Sequence, residues 1–367
     1  HHIDQLSYIS EFTIELIAMS VKQIDMKKVV LIIKCCYALN LQAQTDLHNS
    51  VDPFIGTGGH GHTYPGPTMP FGMVQLSPDT RLDGWDGCGG YHYSDSVIYG
   101  FSHTHLQGTG VSDYGDILIM PCTQFAEGAE VWRDRYKSSF NKNSELAHAG
   151  YYSVELSDHK LNAELTTTGR VGIHRYTLNS PDTLTLIIDL DHRDKLLNYS
   201  IYPIDDSTLV GHRISENWAE EQHVYFAIRF NKDFKWYDQM SENKLINIDN
   251  NGVEYRDVEY VPVFAADFGV IDELIVKVGI SFCDIEGAVL NLNSEAPHFD
   301  FDRYRTECEN SWDDQLSRIL IEGESESEST IFYTSLYHSC TVPNIASDCD
   351  GRYRGTDLKI HKLSQDE

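Results

Sequence analysis

From Val51 to about Cys283 apolar side chains recur at every second position, and after Pro297 they recur at every fourth. That change of period constrains the fold more than any other feature of the chain. Val224, Phe226, Ile228 and Phe230 share one face of an extended segment, with Arg229 on the other. Leu274, Val276, Val278, Ile280 and Phe282 alternate with Lys277, Gly279 and Ser281; Leu184, Leu186, Ile188 and Leu190 alternate with Thr183, Thr185 and Asp189. Side chains alternate across a strand, so the pattern reads as half-buried strands. Numerous strands between Asn, Asp, Gly and Ser turns, without helical patterns among them, predict a large antiparallel β-sandwich over residues 50–296.

Beyond Pro297 the stripe Tyr304, Cys308, Trp312, Leu316 and Leu320 predicts a helix, with Gly323 as its C-cap. A second helix carries Phe332, Tyr333, Leu336, Tyr337 and Cys340 on one face and ends at Pro343. These two form a helical linker over residues 297–343, and the second face is expected to lack a partner within the chain. Residues 344–367 read as the start of a further domain. The fold class is thus mainly β, a sandwich followed by a short helical linker.

Residues 1–43 do not share the period of two. Met26-Lys27-Lys28 followed by Val29–Ile33, with Ala43 ahead, reads as a signal-peptide-like segment preceded by read-through. An amphipathic helix from about Glu11 to Leu41 is the alternative. No other stretch approaches the roughly 20 apolar residues that span a bilayer. The 56 acidic against 28 basic side chains give a formal charge of −28, which repels phosphate backbones and anionic lipid. The eight cysteines contain no CxxC pair, which argues against a zinc ribbon, and their sparse spacing predicts mostly free thiols.

Four segments could carry chemistry. Gly56-Thr57-Gly58-Gly59-His60-Gly61 fits GxGxxG on paper, but Pro65 and Pro67 forbid the helix that a dinucleotide site needs. His60-x-His62 and His103-x-His105 each set two imidazoles on one side of an extended segment. A metal site would need a third ligand, for which His92, Asp113 and Asp116 are candidates. Histidines bracing Gly-rich loops, or lining a sugar cleft, are the alternative. Trp85 lies among the glycines of Asp83–Tyr93, where it either stacks on a sugar ring or plugs the end of the sandwich. Asp348-x-Asp350-Gly351 opens like a calcium loop, yet Arg352, Arg354 and Thr356 replace the later ligands, so it is no EF-hand.

Taken together, the segments Val51–Gly66, Pro70–Thr80, Gly90–Tyr93 and Phe101–Gly110 resemble the opening of glycoside hydrolase family 92. The likeness continues through Glu164–Arg170, Lys277–Ser281, Phe332–His338 and Asp350–Gly355. The resemblance implies a bacterial, secreted or periplasmic exo-α-mannosidase that trims mannose-containing glycans, often α-1,2-linked mannose of N-glycans. It also implies calcium, inversion at the anomeric centre, and a sandwich followed by a helical linker and an (α/α)6 barrel. The barrel holds the family's catalytic acid and base, so none is expected in this chain, and the calcium ligands are expected outside it as well. By motif position, Trp85 would stack beside the leaving sugar and Asp348 or Asp350 would contact sugar hydroxyls. His103 and His105 would shape the interface. A non-catalytic carbohydrate-binding or scaffold domain is the rival reading.

Overall fold

The spine of the molecule is a pair of nineteen-residue strands, Val171–Asp189 and Val263–Ser281. In the computed structural model, which describes residues 46–123, 136–238, 263–323 and 325–364, they run antiparallel. Their register slips between Asp267 and Val270 and again between Ile271 and Glu273. Bulges bend and twist a strand, and each long strand takes different neighbours on either side of them. Residues 184–189 pair with Leu118–Thr123, whereas residues 172–178 pair with Leu161–Thr167. Residues 276–281 pair with Gln222–Phe230, and residues 264–267 with Lys235–Asp238. Twelve described strands join into this one antiparallel sheet, which curls to supply both layers of the predicted sandwich. The signal-like segment 1–43 lies outside the described residues.

The core-facing residues of the sequence pattern are where the period places them. Val224, Phe226, Ile228, Phe230, Leu274, Val276, Val278 and Ile280 are all buried. Their alternate partners depart from the expectation of a solvated face, since Lys277 and Ser281 are buried too. The cause is a helix absent from the sequence reading, α1 (Ile285–Glu295), which lies inside the span assigned wholly to strands. Asp284 caps it, its carboxylate accepting from the Gly287 N–H at 2.7 Å. Ala288, Leu292 and Ala296 at this helix pack on Val171, Ile173, Val210 and Ala227. Gly279 permits this approach: a Cβ there would stand 2.7 Å from the Ala288 carbonyl oxygen and 2.8 Å from the Leu292 Cβ. Lys277 ends its buried path with Nζ donating to the carbonyls of Ala296 and His298, at 2.7 and 3.0 Å.

Helix α2 (Phe301–Leu316) buries Tyr304, Cys308, Trp312 and Leu316 as the stripe predicts. It stops one turn early. Ser317 is its C-cap, and Leu320 is exposed beyond it. Helix α3 (Glu326–Ser339) starts with a capping box between Ser325 and Glu328. Its apolar face does not lack a partner. Tyr333, Tyr337 and Cys340 are buried against Leu47, Val51, Cys308, Trp312 and Leu316, with Phe332 and Leu336 partly buried at the edge. Burying a side chain of this size is worth roughly 1.5–3 kcal/mol. The short helical turn Leu47–Ser50 supplies the missing surface. The six described cysteines are free thiols.

Candidate functional site

Several loops meet around Trp85: residues 56–66, 83–93, 107–116, 191–194 and 217–219. Their foundation is fully buried and polar. Asp79, at the end of the strand Ser77–Asp79, accepts from the Ser102 hydroxyl at 2.5 Å and lies 3.4 Å from His105 Nε2 and 3.3 Å from His192 Nε2. Burial opposes its ionisation, but the two imidazoles prevail and hold its carboxyl well below the usual range. The buried Arg213 guanidinium pairs with Asp116 and donates to the Leu190 and Arg193 carbonyls. Thr104 Oγ1 and Gln222 Nε2 complete the Asp116 carboxylate, at 2.7 and 2.5 Å.

On this base the loops are tied crosswise. Arg193 Nη2 donates to the Gly87 carbonyl at 2.7 Å and to Ser112 Oγ at 2.8 Å, pinning the turn Trp85–Gly87 to the 107–116 loop. The Trp85 ring rests over Gly110, where any Cβ would collide with the indole, and against the edge of His62 at a centroid distance of 5.1 Å. Trp85 is nevertheless 61% exposed, so it does not plug the sandwich. One flank of the indole is buttressed and the rest is open to solvent, which is the geometry a stacking platform requires.

A second exposed indole belongs to the same loop cluster. Asp113 accepts from the backbone N–H groups of Trp218 and Ala219, both at 3.0 Å, and Asn217 Nδ2 donates to the Ser112 carbonyl and to Asp194. Trp218 is 75% exposed. It escaped the sequence reading because it fits neither period; its signal is an aromatic residue stranded in the polar turn Ser215–Glu221. Burial pushes the Asp194 carboxyl up to about 7.

The structure separates the sequence candidates. Trp85 stands at the solvent face of this cluster. His105 lies beneath it, with Nδ1 2.8 Å from the Gln75 carbonyl and Nε2 committed toward Ser102 and Asp79. His103 is fully buried between the Ile117 carbonyl and His174. Both imidazoles are buried and brace the interior. Asp348 is also an interior group: its carboxylate accepts from Ser281 Oγ and Asn291 Nδ2, each at 2.8 Å, under α1. Among the described residues its side-chain partners, Ser281 and Asn291, belong to the framework beneath α1. Asp350 is partly exposed and paired with Arg352 at 2.7 Å, and Arg352 reaches on to Asp284. Of the two aspartates, Asp350 keeps access to solvent.

The GxGxxG segment forms turns with no helix after it, as the prolines dictate. His60 and His62 do converge on a carboxylate, but it is Asp86 and none of the three candidates the sequence offered. His92 instead faces the Gly59 carbonyl and Ser94 Oγ.

The curled antiparallel sheet, its aromatic loop cluster and the helices behind it are placed by comparison with known proteins. Residues 50–281 match the glycosyl hydrolase family 92 N-terminal domain, and residues 287–367 match the glycosyl hydrolase family 92 catalytic domain. The chain belongs to glycosyl hydrolase family 92. A family 92 α-mannosidase from Bacteroides thetaiotaomicron, solved in complex with mannoimidazole, superposes with a TM-score of 0.79 at 31% identity, covering 87% of this chain and 43% of that one. An inverting family 92 mannosidase from the same bacterium shares the fold, with a TM-score of 0.74 at 22% identity over 86% of this chain and 43% of that one. An uncharacterized secreted glycosidase of Arthroderma benhamiae is 25% identical over 336 residues, 82% of this chain and 42% of the relative. The chain therefore spans less than half the length of these relatives.

Proposed function

We propose that the protein this chain belongs to is an exo-α-mannosidase, removing terminal mannose from glycans, with α-1,2-linked mannose of N-glycans as its substrate. The observation that carries the reading is the match to both family 92 domains together with 31% identity to an α-mannosidase that binds mannoimidazole. We place it outside the cytoplasm of a bacterium, secreted or periplasmic; a secreted relative and bacterial relatives support this. No helix among the described residues is long and apolar enough to cross a membrane.

Inversion needs a protonated carboxyl at the leaving oxygen and a carboxylate activating water on the opposite face, roughly 6.5–9.5 Å apart. We assign neither group to this chain. Calcium demands six to eight oxygen ligands. The described clusters that could hold an ion, His48 with His148 and Glu309 and His60 with His62 and Asp86, are rich in nitrogen and do not fit it. We assign the calcium ligands to the part of the protein beyond this chain. What this chain contributes is a wall: Trp85, held by His62, Gly110 and the Arg193-pinned turn, presents its open indole to the sugar next to the bond that breaks.

The test is release of mannose by the whole protein from α-1,2-linked mannobiose, with the anomer formed followed by proton NMR and calcium removed by chelation. The expected result is calcium-dependent release of β-mannose. The chain of residues 1–367 alone should give no turnover. Trp85→Ala in the whole protein should lower kcat/KM by roughly 2–10-fold, the worth of one stacking contact. Hydrolysis of α-glucosides in preference to α-mannosides, or turnover by residues 1–367 alone, would overturn the reading.

A further inference from the structure

We propose that His60, His62 and Asp86 form a transition-metal site, with zinc as the best-fitting ion, beside Trp85. The two imidazoles come from one turn and the carboxylate from another. Their ligand atoms all lie within 4.8 Å of one another. His60 Nδ1 is 2.6 Å and His62 Nε2 is 3.6 Å from Asp86 Oδ1. Tetrahedral zinc with bonds of about 2.0–2.1 Å sets its ligands about 3.3 Å apart. The His62–Asp86 spacing is already close to that value. The His60–Asp86 spacing must open by about 0.7 Å, which the exposed His60 side chain, on a turn between Gly59 and Gly61, can follow.

The second observation is His62 itself. It is 8% exposed, and its Nε2 is buried without a hydrogen-bond partner, the Asp86 oxygen standing beyond bonding reach. Leaving a buried polar atom unpaired costs about 1–3 kcal/mol. The backbone of His62 also adopts φ +56°, a conformation unusual for a residue with a side chain. Two local costs fall on one residue whose free nitrogen points at a carboxylate and a second imidazole. A bound ion would satisfy that nitrogen.

Two imidazoles and one carboxylate suit zinc and its neighbours, whereas calcium and magnesium prefer all-oxygen shells. Three protein ligands leave a fourth position open to water or to a ligand hydroxyl. The other nitrogen-rich cluster offers no comparable opening. There His48 Nδ1 is already 3.0 Å from both Asp313 oxygens, and the Arg305 guanidinium lies 3.4 Å from His148 Nε2 and 2.7 Å from Glu309. A cation held among those ligands would face a fixed positive charge.

The experiment is titration of the metal-free chain with zinc chloride by calorimetry, and with cobalt chloride by visible absorption, repeated on His60→Ala, His62→Ala and Asp86→Asn. The expected result is one zinc per chain, a tetrahedral cobalt spectrum, and loss of affinity in each variant beyond the roughly 10–100-fold that an outer partner's removal costs. His60 is exposed, so its variant tests the site even where the others perturb folding. Binding that survives all three substitutions belongs elsewhere, His1 and His2 included, and overturns the proposal. So does an absence of stoichiometric zinc or an octahedral cobalt spectrum. Mannosidase activity is not the readout, so failure here leaves the proposed function standing.

Discussion

Acidification should unfold this protein through a buried pair of imidazoles. His103 and His174 are both fully buried, with their Nε2 atoms 3.0 Å apart. The tautomers follow from the partners. His103 Nδ1 lies 2.8 Å from the Ile117 carbonyl, which can only accept, so Nδ1 carries the proton and Nε2 accepts. His174 Nε2 must then donate, and its Nδ1, 2.8 Å from the Tyr176 hydroxyl, accepts. The chain of bonds runs from Tyr176 through both imidazoles to Ile117, and a proton added to either ring sets N–H against N–H or O–H against N–H. Burial accordingly lowers the His103 pKa to about 4 and moves His174 in the same direction. The unfolded value is about 6.5. A folded pKa below the unfolded one means that the stabilisation is intact above about pH 6.5 and is lost as pH falls toward 4. The full gap for His103 is worth ~3 kcal/mol, and at pH 5 about 2 kcal/mol of it is already gone. That is a large share of the roughly 5–15 kcal/mol that typically holds a domain together. The assay is urea denaturation at half-unit steps from pH 7.5 to 5. Stability should fall, and His103→Gln should flatten the slope by about 0.6 proton averaged over that window, approaching one proton only near pH 5. An equal slope in wild type and variant would refute the tautomer argument, because other buried histidines would then carry the whole effect.

Two further outcomes follow from packing. Gly279→Val places a side chain where α1 already stands, 2.7 Å from the Ala288 carbonyl oxygen, and should cost about 1–3 kcal/mol or more in thermal unfolding, with Gly279→Ala intermediate in effect; a neutral result would mean that α1 is free to lift. Asp348→Ala removes the acceptor for Ser281 and Asn291 beneath α1 and should lower stability by about 2–4 kcal/mol, whereas a change of substrate affinity in the whole protein without any stability loss would favour a direct sugar contact for this residue.

The strands were legible because a period of two is a local property: Val224 to Phe230 and Leu274 to Ile280 face the core wherever the sheet goes. The stripe from Tyr304 to Leu316 was legible for the same reason at a period near four. Helix α1 was not. Its eleven residues include Gly287, Asn291 and Asn293, and they follow a strand without any proline or glycine break. Its apolar positions make sense only against Val171 and Ala227, which are distant in sequence. Missing it also made Lys277 look solvent-facing. The face of α3 seemed bare because its cover, Leu47 and Val51, comes from the far end of the described chain.

At the site, chemistry was legible and assembly was not. Trp85 among glycines announced an aromatic that either stacks or plugs, and His60-x-His62 announced two imidazoles on one side. Which carboxylate they meet depends on how the 83–93 turn is pinned by Arg193, more than a hundred residues onward. His103 and Asp348 looked available because sequence records side chains without recording what surrounds them. The sequence by itself determined the family motifs, the periods and the residue types at the loop tips, since these depend on neighbours along the chain. Only the tertiary structure decided which polar groups spend their hydrogen bonds inside and which keep them for a ligand, because that choice rests on burial and on partners brought from the other end of the sheet.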